Sequence, residues 1–347
     1  MQALFTRTTV TGLENVPDDG AYIAVGNHAA AIEVALMVVN LPDVLELVGN
    51  GDIPFDPTFK FMANAYRFIP VRRGYVDRKA LERARQVLEM GHVLGAFPEG
   101  GIWDHNVRSA RPGVAWLSQQ TGVPILPVAF GGVLGALRQI WRLKRPRLTV
   151  TIGEPIPPVP CPETPRERKA AIQAASEEIM SRIKSLLPPE DRTRMEPAQL
   201  EEAYAFRVTV TAPDGTSVDL PPDVQIVHGE DLAYYFHRYI LLEVIYRNYK
   251  KKEAKPLSRY ATITDPVVLG SALDVALEFY EDQPVFLSYR LGAPRACRVM
   301  DGLQSLRAAL QWAEDNGYQM RIIPERTVST SDGSQQTYID ASVKREY

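Results

Sequence analysis

The chain has 347 residues, of which 45% are hydrophobic and 23% charged, and its formal net charge at pH 7 is −3. This composition is typical of a folded protein of about two domains, and it excludes a basic nucleic-acid-binding surface that covers the whole molecule. Two cysteines are too few for a disulfide framework, so we expect a reducing, cytoplasmic compartment.

From Ala21 to about Leu187, the sequence alternates between strand-like and helix-like segments. Short apolar runs predict strands at AYIAV, RFIPV, HVLGAF, PILPVAF and RLTVTIG. Spacing and capping residues predict helices from just after Asn27 to about Val39, after Asp77, over 113–121, and from Thr164 to near Leu187. No segment reads as a signal peptide or a membrane span. The alternation predicts an α/β sheet with helices on its faces.

The remaining chain divides at a proline-rich, charged stretch, LPPEDRTRMEPAQ, which we assign to a linker at 188–199. Residues 1–187 then form one domain, and residues 200–347 form a C-terminal α+β domain of unassigned role. Within it, AFRVTVTA predicts a strand, and a tyrosine-bearing stretch from about Glu230 to Lys251 predicts one long helix.

The almost wholly apolar stretch AVGNHAAAIEVALMV carries His28 and Glu33. Burying either side chain without a partner costs free energy. Residues five apart in a regular helix point about 140° apart, so the two can pair only if His28 stands at the helix start and its ring folds back. The carboxylate would then hold one ring nitrogen and leave the other as a base. The alternative is a capped core helix with a satisfied histidine and a surface glutamate.

Two further strand ends carry residues suited to ligand binding. FIPVRRG places Arg72 and Arg73 where α/β sheets bind ligands, and paired guanidinium groups can grip a phosphate. AFPEGG places Glu99 and Gly100 at another strand end, where glycine lets backbone amides approach a ligand. Taken singly, the same segments also fit solvated arginines and a simple turn.

Together the segments resemble the glycerolipid acyltransferase family, the lysophosphatidic acid acyltransferases and their relatives. NHAAAIE is similar to the family's N-H-x-x-x-x-D block, IPVRRG to FPVKRG, FPEGGIW to FPEGTRS, and VPILPV to VPIVPV. The resemblance covers about residues 5–187. It implies the mixed sheet flanked by helices of a glycerol-3-phosphate acyltransferase-like fold.

The resemblance implies transfer of a fatty acyl chain from acyl-CoA or acyl carrier protein to a lysophospholipid or glycerol-phosphate hydroxyl. His28 would be the general base, with Glu33 in place of the family's orienting aspartate. The implied acceptor-binding residues are Arg73 with Arg72, and Glu99 with Gly100. Because a thioester is already activated, positioning and base catalysis suffice, and no metal or cofactor is implied.

The sequence departs from the family pattern at two places. Glu33 has a side chain one methylene longer than the family's aspartate, which orients the imidazole. Gly101-Ile102-Trp103 replaces a threonine, an arginine and a serine. Arg108 or Arg111 is the candidate to replace the lost cation. The same departures motivate the alternative function, a catalytically inactive lipid-binding or scaffold protein on the same fold.

The segment LRQIWRLKRPR, residues 137–147, combines five cations with Leu137, Ile140, Trp141 and Leu143. Such a pattern suits an anionic bilayer surface, and it predicts peripheral membrane contact. The alternative is a solvated connector into the next strand.

Overall fold

The computed structural model describes residues 5–51, 66, 68–101, 110–195, 201–238, 241–242, 244–246, 253–254, 256, 260–329 and 334–339. These residues divide into two compact units, one up to residue 195 and one from residue 201 onward. Each unit has its own buried apolar core. None of the helices in these ranges is long and apolar enough to cross a membrane.

The first unit is built on a seven-stranded mixed sheet. Its strands are β1 (Arg7–Thr11), β2 (Ile23–Gly26), β3 (Leu45–Asn50), β4 (Phe68–Val71), β5 (Val93–Ala96), β6 (Ile125–Gly131) and β7 (Arg147–Ile152). Their spatial order is β1-β7-β6-β2-β5-β3-β4, and all neighbours are parallel except β6 and β7. The C-terminal ends of β2 to β6 therefore share one edge of the sheet with the N-terminal ends of β1 and β7.

Helices cover both faces of this sheet. They are α1 (Ile32–Asn40), α2 (Arg78–Glu89), α3 (Gly113–Thr121), α4 (Ala136–Trp141), α5 (Pro165–Leu186) and α6 (Pro189–Met195). Because side chains alternate along a strand, Ile23 and Val25 of β2 pack with α2, α3 and α5, whereas Ala24 packs with α1 and α4. The predicted mixed α/β sheet flanked by helices is confirmed.

Two predicted helix starts are confirmed by their caps. The Asp77 carboxylate accepts a hydrogen bond from the Ala80 N–H at 3.1 Å, at the start of α2. At α5 the Thr164 hydroxyl accepts from the Glu167 N–H at 3.3 Å and donates to the Glu167 carboxylate at 2.7 Å. These contacts satisfy backbone donors that the first helical turn leaves unpaired.

The first predicted helix, which was expected to begin just after Asn27, was placed too early. Helix α1 begins at Ile32, so His28 lies in the loop that follows β2. The Glu33 carboxylate accepts the N–H groups of Ala29 and Ala30, which in the predicted start would belong to the first helical turn and have no intrahelical acceptor. The Glu33 side chain therefore stabilises a loop where the first turn of the helix was predicted.

The segment predicted as a linker, 188–199, contains α6 in its described part. The Arg192 guanidinium donates to the carbonyls of Leu187 and Ser185, both at 2.6 Å. These bonds hold α6 against the end of α5.

The second unit has the predicted α+β composition. Its antiparallel sheet has the order β11-β10-β8-β9 and is formed by β8 (Glu201–Thr211), β9 (Ser217–Val218), β10 (Gln319–Ser329) and β11 (Gln335–Tyr338). Its helices are α7 (Gly229–Phe236), α8 (Pro266–Asp282), α9 (Phe286–Leu291) and α10 (Ala293–Asp315).

The predicted long helix from about Glu230 to Lys251 is wrong in its extent. Helix α7 ends at Phe236, and helical backbone reappears at 241–242 and 244–246. The His237 ring is hydrogen-bonded to the Pro324 carbonyl of β10 at 2.9 Å, so a tertiary contact outweighs the helical pattern at this position. The predicted end of the helix lies outside the described residues.

Candidate active site

His28 and Glu33 form a hydrogen-bonded pair at the C-terminal end of β2. The Nδ1 atom of His28 lies 2.8 Å from Oε2 of Glu33. The Glu33 side chain is fully buried, whereas the His28 side chain is 16% exposed. The ring reaches the carboxylate because His28 stands in the loop before α1, where the backbone is free to turn it back over the first helical turn.

The Glu33 carboxylate collects further hydrogen bonds from this loop. It accepts the N–H of Ala29 at 2.9 Å, the N–H of Ala30 at 3.1 Å, and the side-chain amide of Asn27 at 3.3 Å. Burial raises the pKa of Glu33, and the donors from His28, Ala29 and Ala30 oppose that effect by stabilising the ionised form. The carboxylate thus fixes both the loop and the imidazole.

Asn27 joins this loop to the neighbouring strand, a role that the sequence analysis missed. Its side chain is buried, donates to the Phe130 carbonyl at 3.0 Å, and accepts from the Phe130 N–H at 2.8 Å. Gly26-Asn27 had the composition of an ordinary turn. The sequence feature that could have indicated this role is the position of Asn27, directly between a buried strand and His28.

Glu99 contacts the backbone of the histidine. Its carboxyl oxygen accepts the His28 N–H at 2.9 Å, and the residue is 3% exposed. The pKa of Glu99 is raised to about 8, chiefly by burial and also by the charge of Glu33, while the hydrogen bond from the His28 N–H opposes the increase. Glu99 therefore supports the histidine loop, and its contact with an acceptor stays a prediction.

The segment around Glu99 also supplies one wall for the imidazole. The Phe97 ring stacks on His28 with 4.4 Å between ring centroids and 26° between ring planes. Sequence analysis did not single out Phe97, because a strand-end phenylalanine is ordinary core composition. Together, Glu33 on one nitrogen and Phe97 on one ring face hold the His28 ring in a defined orientation.

Gly100 forms the turn after Glu99. Its φ is 74° and that of Gly101 is 147°, both in the region that favours glycine. The Gly100 N–H donates to the Phe97 carbonyl at 3.0 Å, and the Arg111 N–H donates to the Pro98 carbonyl at 2.8 Å. Arg111 is thus anchored beside this turn with an exposed side chain. Trp103 and Arg108 lie outside the described residues.

Arg72 and Arg73 follow β4, which is three strand positions from β2. The Arg73 guanidinium donates to the Asn50 side chain at 3.4 Å, and the Arg72 N–H donates to the Asp77 carboxylate at 3.0 Å. Of the predicted site residues, the structure therefore brings His28, Glu33 and Glu99 into direct contact. It places the two arginines further along the same edge of the sheet.

The arrangement can act as a base. Because Glu33 accepts at Nδ1, neutral His28 carries its proton there, and Nε2 becomes the basic nitrogen. Among the described residues, none hydrogen-bonds Nε2. In those same residues, no group of three or more histidine, cysteine, aspartate or glutamate side chains is placed to hold a metal ion.

Comparison with known proteins gives one family match. Residues 7–131 match the model of the acyltransferase family, a range that runs from β1 to the end of β6 and contains His28, Glu33 and Glu99. The chain is also similar to the solved 1-acyl-sn-glycerophosphate (LPA) acyltransferase PlsC from Thermotoga maritima. That match has 24% sequence identity and a TM-score of 0.37, and it covers 52% of this chain and 74% of the other. The search of curated proteins gave no match.

Proposed function

We propose, from the match of residues 7–131 to the acyltransferase family model, that the protein transfers a fatty acyl chain from a thioester donor to a glycerolipid hydroxyl. The donor is acyl-CoA or acyl carrier protein, and the acceptor is a lysophospholipid or a glycerol phosphate. The observation that carries the proposal is the His28–Glu33 pair, in which a buried carboxylate holds Nδ1 of a partly exposed imidazole.

The proposed reaction uses one base and no covalent enzyme intermediate. The acceptor hydroxyl gives its proton to Nε2 of His28 as its oxygen attacks the thioester carbonyl carbon. The carbon–sulfur bond then breaks, and the thiolate leaving group takes the proton from the imidazolium. Glu33 stabilises the imidazolium between the two steps, as the third member of a catalytic triad does. None of these steps calls on a metal ion.

Three arginines are the proposed ligands of the acceptor phosphate. Arg73 and Arg72 follow β4, and Arg111 starts beside the turn formed by Gly100. Arg72 and Arg73 lie at a strand end on the edge of the sheet that carries His28, where α/β sheets bind ligands, and Arg111 lies beside the turn that follows β5. Their guanidinium groups suit a phosphate because they donate several hydrogen bonds in one plane.

We also propose peripheral contact with an anionic membrane through residues 137–147. Leu137 and Ile140, which the sequence placed on an apolar outer face, instead pack against the core of the first unit. Trp141 and Leu143 remain outside, 77% and 88% exposed. The apolar part of this surface is therefore smaller than predicted and lies at the end of α4, among exposed cations.

An acyl-transfer assay tests the proposal, with a panel of lysolipids and both donor types. Replacing His28 by alanine should lower turnover at least ~100-fold, the lower range for general base catalysis. His92→Ala is the matched control, because His92 is an exposed histidine of the same unit. Near-normal turnover in folded His28→Ala would contradict the mechanism. Transfer to no acceptor by the wild type would instead favour a lipid-binding or scaffold protein.

A further inference from the structure

A second basic cluster lies in the first unit, on the β1–β7 side of the sheet edge that carries His28. An open cavity of about 710 Å³ is lined there by Arg7, Arg145 and Arg147. Glu190 also lines the cavity, and the Asp191 carboxylate accepts the N–H of the lining residue Gly132 at 2.8 Å, so the arginines share this region with two carboxylates. The cavity has no part in the site built around His28.

Two of these arginines are placed against each other by the sheet. Arg7 and Arg147 are direct partners in the parallel pairing of β1 with β7, so their side chains project from the same face. Like charges directly opposite each other destabilise a sheet. Neither guanidinium has an ion-pair partner in the described part of the chain. An anion bound between them would remove this repulsion.

The backbone around the cavity is fixed by close contacts. Gly132 has a φ of 71°, and a Cβ atom there would lie 2.4 Å from the Arg147 carbonyl oxygen. A residue with a side chain would therefore push Arg147 away. Thr149, two residues further on the same face, has a buried hydroxyl with no hydrogen-bond partner within the described ranges. Because this hydroxyl is buried, the donors that the lining presents to a bound anion are the guanidinium groups.

We propose that this cavity binds the phosphate groups of coenzyme A when it carries the acyl thioester, an inference that rests on the proposed function. Strands β7 and β1 lie two and three positions from β2, which is about 10 and 15 Å across the sheet. The pantetheine arm between thioester and phosphates is about as long as four or five extended residues, ~15 Å. A donor anchored in the cavity can therefore present its thioester at His28.

The two substrates then approach His28 from opposite sides. Arg72 and Arg73 follow β4 on one side of β2, whereas the cavity lies on the other side, beyond β6. Two anion sites on opposite sides of the base keep the phosphates of the two substrates apart and so reduce their repulsion. The order of the strands supplies that separation.

The test is the double variant Arg7→Gln/Arg147→Gln in steady-state assays. Its KM for acyl-CoA should rise at least ~10-fold through loss of charge-assisted hydrogen bonds, while KM for the acceptor stays unchanged. With the same acyl chain on pantetheine, which has no phosphate, wild type and variant should have equal kinetics. Arg83→Gln, an exposed arginine on α2, is the matched control. An unchanged KM for acyl-CoA in the double variant would overturn the proposal.

A binding measurement separates this inference from the proposed function. Adenosine 3′,5′-bisphosphate, the phosphorylated part of coenzyme A, is titrated calorimetrically into wild type and both variants. Weaker binding by the double variant alone supports the cavity even if no acyl transfer is found. Equal binding of the bisphosphate by all three proteins would overturn the inference. It would also be overturned if the double variant lost flotation with vesicles but kept bisphosphate binding.

Discussion

Two buried carboxyl groups lie beside His28, and they differ in what surrounds them. Glu33 faces the imidazole and the N–H groups of Ala29 and Ala30, so its charge has several donors. Glu99 accepts the His28 N–H and lies close enough to Glu33 that the charge of one disfavours the charge of the other. At neutral pH the two carboxyl groups, Glu33 and Glu99, therefore carry their shared proton on Glu99, whose pKa is raised to about 8.

This difference predicts how stability depends on pH. The folded protein keeps the Glu99 proton up to about pH 8, whereas the unfolded chain releases it near the ordinary value for glutamate, so folding binds a proton between these limits. Stability contributed by Glu99 should therefore be full at low pH and fall as pH rises, by at most about 1.4 kcal/mol per pH unit.

Replacing Glu99 by glutamine removes this dependence, because the amide oxygen can still accept the His28 N–H but does not ionise. The difference in thermal midpoint, variant minus wild type, should increase from pH 5 to pH 9. Glu163→Gln, at an exposed glutamate, is the control and should show no such trend. A difference that is constant with pH would show that Glu99 ionises at its ordinary pKa.

At the residue scale, sequence reasoning located the pair but not its supports. His28 and Glu33 were noticeable because both are polar within an apolar stretch. Asn27 and Phe97 were not noticeable, because their partners, Phe130 and the imidazole, are set by strand order and by the loop path. A buried polar side chain needs partners, but a sequence does not say which backbone groups will be left free to provide them.

At the scale of elements, the loop between β2 and α1 is held from three sides. The Glu33 carboxylate holds it from α1, Glu99 holds it from the end of β5, and Asn27 ties it to Phe130 of β6. His28 is thus positioned by three elements that are distant in sequence. Such support from rigid elements is what keeps a base in a productive orientation.

Asn27→Ala tests this support. The substitution leaves the buried N–H and carbonyl of Phe130 without their side-chain partner, which costs about 1–3 kcal/mol for each unsatisfied group. Because the loop also loses its tie to β6, kcat should fall while the KM values of both substrates stay close to wild type. Urea denaturation and steady-state kinetics measure the two effects.

The control for this prediction is Asn40→Ala. Asn40 bonds its side chain to the Leu36 carbonyl at 2.8 Å, within α1 and away from the histidine loop. It should cost some stability without changing kcat. Equal effects of the two substitutions on kcat would mean that Asn27 has no special role in positioning His28.

Elements were predictable where local chemistry decides them. Apolar runs predicted five of the seven strands of the first sheet but not β1 or β3. Asp77 and Thr164 predicted the starts of α2 and α5, because caps act within one turn. The start of α1 and the end of α7 were misplaced because Glu33 and His237 make contacts that propensity does not encode. Strand order, with β1 and β7 beyond β6, also lies outside what spacing alone determines.

At the scale of the whole molecule, the exposed end of α4 has no explanation within the fold. The N–H of Lys144 bonds to the Gln139 carbonyl and the N–H of Leu143 to the Ile140 carbonyl, both at 2.9 Å, the pattern of a helix C-terminus that prefers glycine in the left-handed position. Leu143 occupies that position with a φ of 56°. For a residue with a Cβ atom this costs about 1–2 kcal/mol, and an 88% exposed side chain recovers none of it by packing.

Insertion of Leu143 into a bilayer beside Trp141 would explain why a residue that destabilises the fold occupies this position. Leu143→Gly should therefore leave the free energy of unfolding unchanged or raise it by up to about 1 kcal/mol. It should also lower binding to anionic vesicles by about tenfold, because a leucine side chain buried in an apolar environment contributes about 1.5–3 kcal/mol. Flotation with liposomes and urea denaturation measure the two quantities. Val44→Ala, at an 84% exposed valine of the same unit, should alter neither. If Leu143→Gly floats as well as the wild type, residues 137–147 do not bind the membrane, and residues 142–146 only connect α4 to β7.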